Sequence, residues 1–240
     1  MQESARSLWL AVGGVVLVFT VLACMVSLLS WLGRQSETQR LEYRRPALLE
    51  IDVQSTEVVL QAYESGGVSV ERQLTWASAK PAAHEQWRGD TLRLSMDCPA
   101  GPQLPGCSTA YHVWVPADLP VSVRTSTGAV RLADLRGRIT VDTASGDVRG
   151  SGLGAGDVSA VGGTGDVALA FSAVPGRVAV RTSSGDITVT VPRGRAYNVR
   201  AEAAEGVATV AVGQDPGAPA TIEARTETAD ITVGDPSYAW

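Results

Sequence analysis

Six related phrases divide the second half of the chain. Four are close copies: Thr125-Ser126-Thr127-Gly128-Ala129-Val130, Thr143-Ala144-Ser145-Gly146-Asp147-Val148, Gly163-Thr164-Gly165-Asp166-Val167 and Thr182-Ser183-Ser184-Gly185-Asp186-Ile187. Two are degenerate, Ala204-Glu205-Gly206-Val207 and Thr228-Ala229-Asp230-Ile231. The steps between equivalent positions are 18, 19, 20, 21 and 23 residues. A period of that size marks stacked supersecondary units, none of which buries a hydrophobic face without its neighbours.

Each phrase is flanked by period-two segments such as Val121-Ser122-Val123, Ile139-Thr140-Val141 and Val178-Ala179-Val180 before it, and Val130-Arg131-Leu132 or Ile187-Thr188-Val189 after it. Alternation places the branched aliphatics on one face of a strand and Thr, Arg and Asp on the other. The unit therefore reads as strand, Ser-Gly-Asp turn, strand and a looser corner containing Gly137 or Gly176. The expected fold is all-β, an elongated β-solenoid with a dry aliphatic interior. In the turns Gly128, Gly146, Gly165, Gly185 and Gly206 are expected to supply positive φ, and Asp147, Asp166, Asp186 and Asp230 to accept nearby backbone N–H groups.

Ahead of the array, Leu49 to Val53, Val58 to Tyr63, Val68 to Leu74, Thr91 to Met96 and Tyr111 to Pro116 carry the same strand signals. Residues 77–87 are the one stretch here expected to form a helical turn, limited by Pro81. Residues 33–46 are polar and charged and read as a stalk. Residues 8–32 hold 25 consecutive uncharged positions, about 37 Å of helix, against a hydrocarbon core of about 30 Å. The sequence thus predicts a short cytoplasmic segment over 1–7, a transmembrane helix over 8–32, a stalk over 33–46, the solenoid over 47–236 and a tail over 237–240. Trp9 and Trp31 flank the span as interfacial anchors. Val21-Leu22-Ala23-Cys24 resembles a poor lipoprotein cleavage box, but the apolar run continues beyond Cys24.

Orientation rests on two opposed signals. Arg34, Arg40, Arg44 and Arg45 follow the span and only Arg6 precedes it, which favours a cytoplasmic domain, although the rule weakens for long translocated domains. Cys98 and Cys107 close a Pro-rich segment that reads as a disulfide loop in an oxidising compartment. The expected location is the cell membrane, single-pass, with the N-terminus cytoplasmic and the C-terminal domain extracellular. Beyond Arg45 the chain has 15 basic and 22 acidic residues, which excludes a broad electrostatic footprint for nucleic acid.

The span, the strand-rich lead-in, the paired-cysteine loop and the phrase array, matched best at Arg181-Thr182-Ser183-Ser184-Gly185-Asp186-Ile187-Thr188-Val189, together resemble the bacterial putative-adhesin family of β-strand-repeat proteins, which includes LiaG-like envelope proteins. The resemblance covers residues 48–234. It implies a β-solenoid at the cell surface with an adhesion or envelope-stress role, and it brings no catalytic residue and no cofactor. Loss of Ser-Gly-Asp at 204–207 and 227–230 implies that any ladder of ligands is interrupted there.

The chemistry in the sequence points to binding rather than catalysis. Gly162-Gly163-Thr164-Gly165-Asp166-Val167 echoes a calcium roll, whose repeat is nine residues rather than the twenty found here, and one carboxylate per layer is thin provision for six to eight oxygens. A β-helix carbohydrate-active enzyme needs a distinct carboxylate pair, and none of the aspartates stands apart from its neighbours. His84 and His112 are the only imidazoles, and His112 reads as a solvent-facing strand residue. Thr125, Thr127, Thr143, Ser145, Thr164, Thr182 and Ser184 form a candidate hydroxyl ladder along one edge, suited to a glycan or an envelope protein, or serve only to solvate turns. A structural or signalling spacer of an envelope complex fits the same residues.

Overall fold

The computed structural model describes residues 16–17, 20–25, 35–64, 66–76, 80–97 and 107–237. Residues 16–17 and 20–25 are helical and exposed. Among the described residues no helix is long and apolar enough to cross a membrane. Most of the span expected over 8–32 lies outside them, as do Cys98 and most of the loop that it would close.

The lead-in forms β1 (Gln35–Arg44), β2 (Leu48–Asp52), β3 (Thr56–Ala62), β4 (Gly67–Trp76), β5 (Ala82–Arg88), β6 (Thr91–Asp97) and β7 (Cys107–Val115). The repeats form β8 (Val121–Thr125), β9 (Val130–Ala133), β10 (Ile139–Thr143), β11 (Val148–Leu153), β12 (Val158–Gly162), β13 (Val167–Phe171), β14 (Arg177–Thr182) and β15 (Ile187–Thr190). Then come β16 (Ala196–Ala203), β17 (Ala208–Val210), β18 (Gly213–Gln214), β19 (Thr221–Thr226) and β20 (Ile231–Gly234).

Each repeat gives the strand before its turn to one ten-stranded sheet and the strand after it to the other. Successive units pair in parallel and in register, so like residues form columns: Val121, Ile139, Val158, Val178 in one sheet and Val130, Val148, Val167, Ile187 in the other. All eight are at most 3% exposed. The period-two alternation thus becomes a continuous aliphatic core between the sheets, each fully buried Val or Ile contributing about 1.5–3 kcal/mol. Gly150 interrupts one column, and Leu153 fills the gap after a register shift in β11.

The order of layers departs from the order of the chain at both ends. The first sheet runs β1-β4-β7-β3-β9-β11-β13-β15-β20-β17, the second β18-β16-β19-β14-β12-β10-β8-β2-β6-β5. The β2–β3 layer is therefore enclosed by the later β6–β7 layer, and the β19–β20 layer is inserted between β14–β15 and the earlier β16–β17.

Two expectations fail in the lead-in. The stretch read as a stalk is largely strand, because β1 pairs antiparallel with β4 over its whole length and turns Gln39, Leu41 and Tyr43 toward the interior. The stretch read as a helical turn holds β5 instead, paired antiparallel with β6. Its residues have no apolar periodicity, and the partner strand rather than local propensity decides their conformation.

Candidate functional site

The turn edge is built from three residues of each phrase. Thr125, Thr143 and Thr182 end their strands facing inward and are buried, as are Thr226 in the inserted layer and Thr56 and Thr109 in the lead-in. A buried hydroxyl needs a partner. The Gly128 and Gly146 N–H groups donate to Thr125 and Thr143 Oγ1 at 3.1 and 2.9 Å, and Thr182 Oγ1 donates to the Gly185 carbonyl at 2.9 Å.

Glycine is required here for a reason other than the positive φ expected of it. Among the described glycines only Gly89, Gly152 and Gly194 have positive φ. A Cβ on Gly146 would lie 2.0 Å from the Gly128 carbonyl oxygen, on Gly165 2.5 Å from that of Gly146, on Gly185 1.9 Å from that of Gly165, and on Gly206 2.1 Å from that of Ala229. A Cβ on Gly128 would meet the Thr56 carbonyl at 1.7 Å. Stacking in parallel register brings each turn backbone onto the one before it, and no side-chain atom fits between them.

The aspartates tie the same turns from outside. Asp147 Oδ1 accepts the Asp166 N–H at 3.2 Å, Asp166 Oδ1 that of Asp186 at 3.0 Å, Asp186 Oδ1 that of Asp230 at 3.0 Å, and Asp230 Oδ1 that of Val207 at 2.8 Å. This row of hydrogen bonds is continuous through Asp230, because the inserted layer sits directly on the Asp186 turn. It ends at Val207, in the outermost layer of that end. Arg149 adds an ion pair to Asp147 at 3.0 Å. Among the described residues no group of three or more His, Cys, Asp or Glu is arranged to hold a metal ion.

The seven hydroxyl candidates consequently fall into two sets. Thr125, Thr143 and Thr182 line the interior, whereas Thr127, Ser145, Thr164 and Ser184 are exposed. Thr127 Oγ1 bonds Ser55 Oγ at 3.0 Å and Ser145 Oγ donates to the Ser126 carbonyl at 3.3 Å, so half of the exposed row is engaged with the adjacent layer.

Chemistry with more variety lies on the outer face of the first sheet. Because Tyr111, Val113 and Val115 point inward on β7, His112 and Trp114 point out. Strand pairing aligns Glu71 with His112 and Ser69 with Trp114, and Arg40 with Glu71 and Glu42 with Ser69. Arg40 lies 5.3 Å above the centre of the Trp114 ring and 3.5 Å from the Glu71 carboxylate. The His112 ring is 5.8 Å from the same indole. Tyr63, 59% exposed, completes a cleft of about 590 Å³ with Trp114, Arg40, Glu42 and Ser69. An aromatic platform ringed by a cation, a carboxylate and a hydroxyl suits a ligand with both apolar and hydroxylated faces. Behind β1, burial and the Glu85 carboxylate push the Tyr43 hydroxyl up to about 12.

Residues 119–233 match the family model described as Toastrack DUF4097. That stretch, just under half of the chain, is similar to the Toastrack family. Among solved structures, a putative cell adhesion protein from Clostridium sporogenes is similar at 11% identity and a TM-score of 0.52, covering 84% of this chain and all of that one. At that identity the likeness is one of fold. A putative adhesin from Bacteroides fragilis is similar at 13% identity and a TM-score of 0.39, over 84% of this chain and 97% of its own. A protein described as a putative lipid binding protein from Parabacteroides distasonis follows at 11% identity and 0.31, over 83% and 96%. No curated protein sequence matches the chain.

The Toastrack match begins at residue 119, so the Trp114 cleft lies in the lead-in layers, outside it. Sequence reasoning passed over that cleft. Its signal was present, since Trp114 occupies a solvent parity in a strand whose other parity, Tyr111, Val113 and Val115, supplies the core. A second cleft of about 580 Å³ lies toward the other end, at the border of Val161, Arg181 and Arg225. Arg225 there is held by Glu202 at 3.2 Å.

Proposed function

We propose that this chain is a non-catalytic binding module of the cell envelope, anchored by the apolar segment 8–32 with its β domain on the outer side, and that the Trp114 cleft takes a glycan. The cleft carries the reading. An indole face accepts the C–H face of a sugar ring, while Arg40, Glu42 and Ser69 stand where ring hydroxyls would seek donors and acceptors. An adhesive role accords with the description of the Clostridium sporogenes protein as a putative cell adhesion protein. A Cys98–Cys107 disulfide would accompany the outer location, since such bridges persist in oxidising compartments.

Binding of the full-length protein to an array of cell-wall and host-type oligosaccharides tests the proposal, with Trp114→Ala as the comparison. Saturable binding weakened several-fold by Trp114→Ala is expected, an aromatic contact being worth about 0.5–1.5 kcal/mol beyond its buried area. Equal binding by both proteins would remove the cleft from the account. Protease treatment of intact cells tests the orientation separately, and full protection of the β domain would place it inside.

A further inference from the structure

Four edges terminate the two sheets, and two of them are blunted, β17 and β18 being three and two residues long; β5 runs seven residues from just after Pro81. β1 is different. It runs ten residues in unbroken register with β4, without proline or bulge, and among the described residues no strand pairs with its other side. A long flat edge of this kind is a template for pairing with another chain.

The end of the core beside it is also open. Leu41 and Tyr43 on β1 face inward yet are only half-buried, and Trp87 on β5, aligned with the fully buried Leu92, is 37% exposed. Residues at equivalent positions elsewhere are covered by a following layer. Terminal units of a stack need such a cover.

We propose that a second copy of this chain supplies it, through antiparallel β1 to β1 pairing about a twofold axis normal to the sheet. Such an axis keeps core-facing residues opposite core-facing residues, which limits the register to those centred on a single residue. Centred on Arg40, the strand sets that guanidinium against itself. Centred on Glu42, it opposes two carboxylates and sets Arg40 against Arg44. Centred on Gln39, it places Leu41 opposite Glu37. Centred on Leu41, it sets Leu41 against Leu41, Arg40 against Glu42 of the second copy and Glu37 against Arg45, each ion pair occurring twice by symmetry. No like charges oppose one another in that register, and it is the one we assign. Arg40 is 61% exposed at its side chain and reaches the new carboxylate without losing burial. The twofold leaves both Trp114 clefts on one face, so a dimer presents two sites to a surface. This last point rests on the glycan reading, whereas the pairing itself does not.

Charge reversal in the full-length protein, purified in detergent and measured by sedimentation, tests the register. Arg40→Glu alone and Glu42→Arg alone each create two like-charge oppositions and should weaken the dimer about tenfold or more. The triple variant Arg40→Glu, Glu42→Arg and Glu71→Arg restores both pairs between the copies and the pair of positions 40 and 71 within each, and should dimerise like the parent. In a Cys24→Ser background, Leu41→Cys should give an oxidant-dependent dimer band that the Cys24→Ser parent lacks. A monomeric parent at all concentrations overturns the proposal. So does a dimer indifferent to both single reversals, and a Leu41→Cys protein that folds, dimerises and does not crosslink overturns the register. Because Arg40 and Glu42 also line the cleft, the two readings are separated on other proteins: a Trp114→Ala protein that loses sugar binding and keeps the dimer leaves this proposal intact, and a parent that binds sugar but stays monomeric overturns it and leaves the cleft reading intact.

Discussion

Gly185→Ala adds a single methyl group and discriminates between two reasons for a turn glycine. The added Cβ would stand 1.9 Å from the Gly165 carbonyl oxygen, 1.5 Å short of ordinary contact at 3.4 Å. The obstructing atom belongs to backbone and has no rotamer to escape into, so the two layers must part locally. Four hydrogen bonds cross that junction: Ser183 and Ser184 N–H to the Gly163 carbonyl at 2.9 and 3.0 Å, Val167 N–H to the Asp186 carbonyl at 2.9 Å, and Asp186 N–H to Asp166 Oδ1 at 3.0 Å. Displacement by more than an ångström takes two or three of them out of range, at about 1 kcal/mol each. With overpacking strain the expected loss is about 2–4 kcal/mol, or about 5–15 °C in melting temperature for a domain of this size. Two other glycines calibrate it. Gly66→Ala meets nothing within 4 Å and should fall within about 0.5 kcal/mol of the parent, whereas Gly89→Ala has open space but φ of +62° and should cost about 1–2 kcal/mol. Gly89→Asn should recover part of that cost, and Gly185→Asn none. Urea and thermal unfolding followed by circular dichroism supply the values. A Gly185→Ala protein as stable as the parent would refute the close-stacking account.

Thr143→Val removes the acceptor of the Gly146 N–H inside the core and should cost about 1–3 kcal/mol, against little change for the exposed Ser145→Ala, both read by urea denaturation. Asp186→Asn keeps an oxygen acceptor for the Asp230 N–H and should change stability by less than about 1 kcal/mol; a melting temperature that rises with calcium in the parent and not in this variant would show the carboxylates to be ion ligands instead. Tyr43 is held neutral by burial, its value raised in the fold to about 12, so its contribution is intact below the ordinary tyrosine value near 10 and is lost as pH climbs toward 12. Tyr43→Phe, whose parent hydroxyl is buried with no hydrogen-bond partner among the described residues, should be at least as stable as the parent near neutrality and lose less stability between pH 10 and 12.

The period and the alternation were enough to read the layers, because both arise from geometry that side-chain parity records directly: Val121, Val123, Val130 and Leu132 face inward wherever the strands sit. Layer order was not readable in the same way. It depends on which edge each late strand finds, and the phrases at 204–207 and 228–231 differ from the parent phrase to a similar degree. One residue did carry the answer, since Asp230 retains the ladder carboxylate that the outermost turn, with Val207 in its place, does not need. The glycines were located correctly by pattern but for the wrong physical reason, as a local φ requirement and a clash with another layer leave the same residue in the sequence. β1 was missed because its core-facing side carries Gln39 beside Leu41 and Tyr43, a mixture that belongs to a terminal layer and resembles a linker.

The late insertion of β19–β20 bears on how such a chain is made. During synthesis or export β16 and β17 emerge before the strands that separate them from β14 and β15, so this end of the molecule cannot close by simple winding in the order of translation. It waits for β19 and β20, which enter between parts already present and hydrogen-bond on both sides. This late segment thereby serves as a keystone. A chain cut short before Thr221 forfeits the contacts of two layers instead of one, and a protease finds β19 and β20 inside their sheets rather than at a fraying margin.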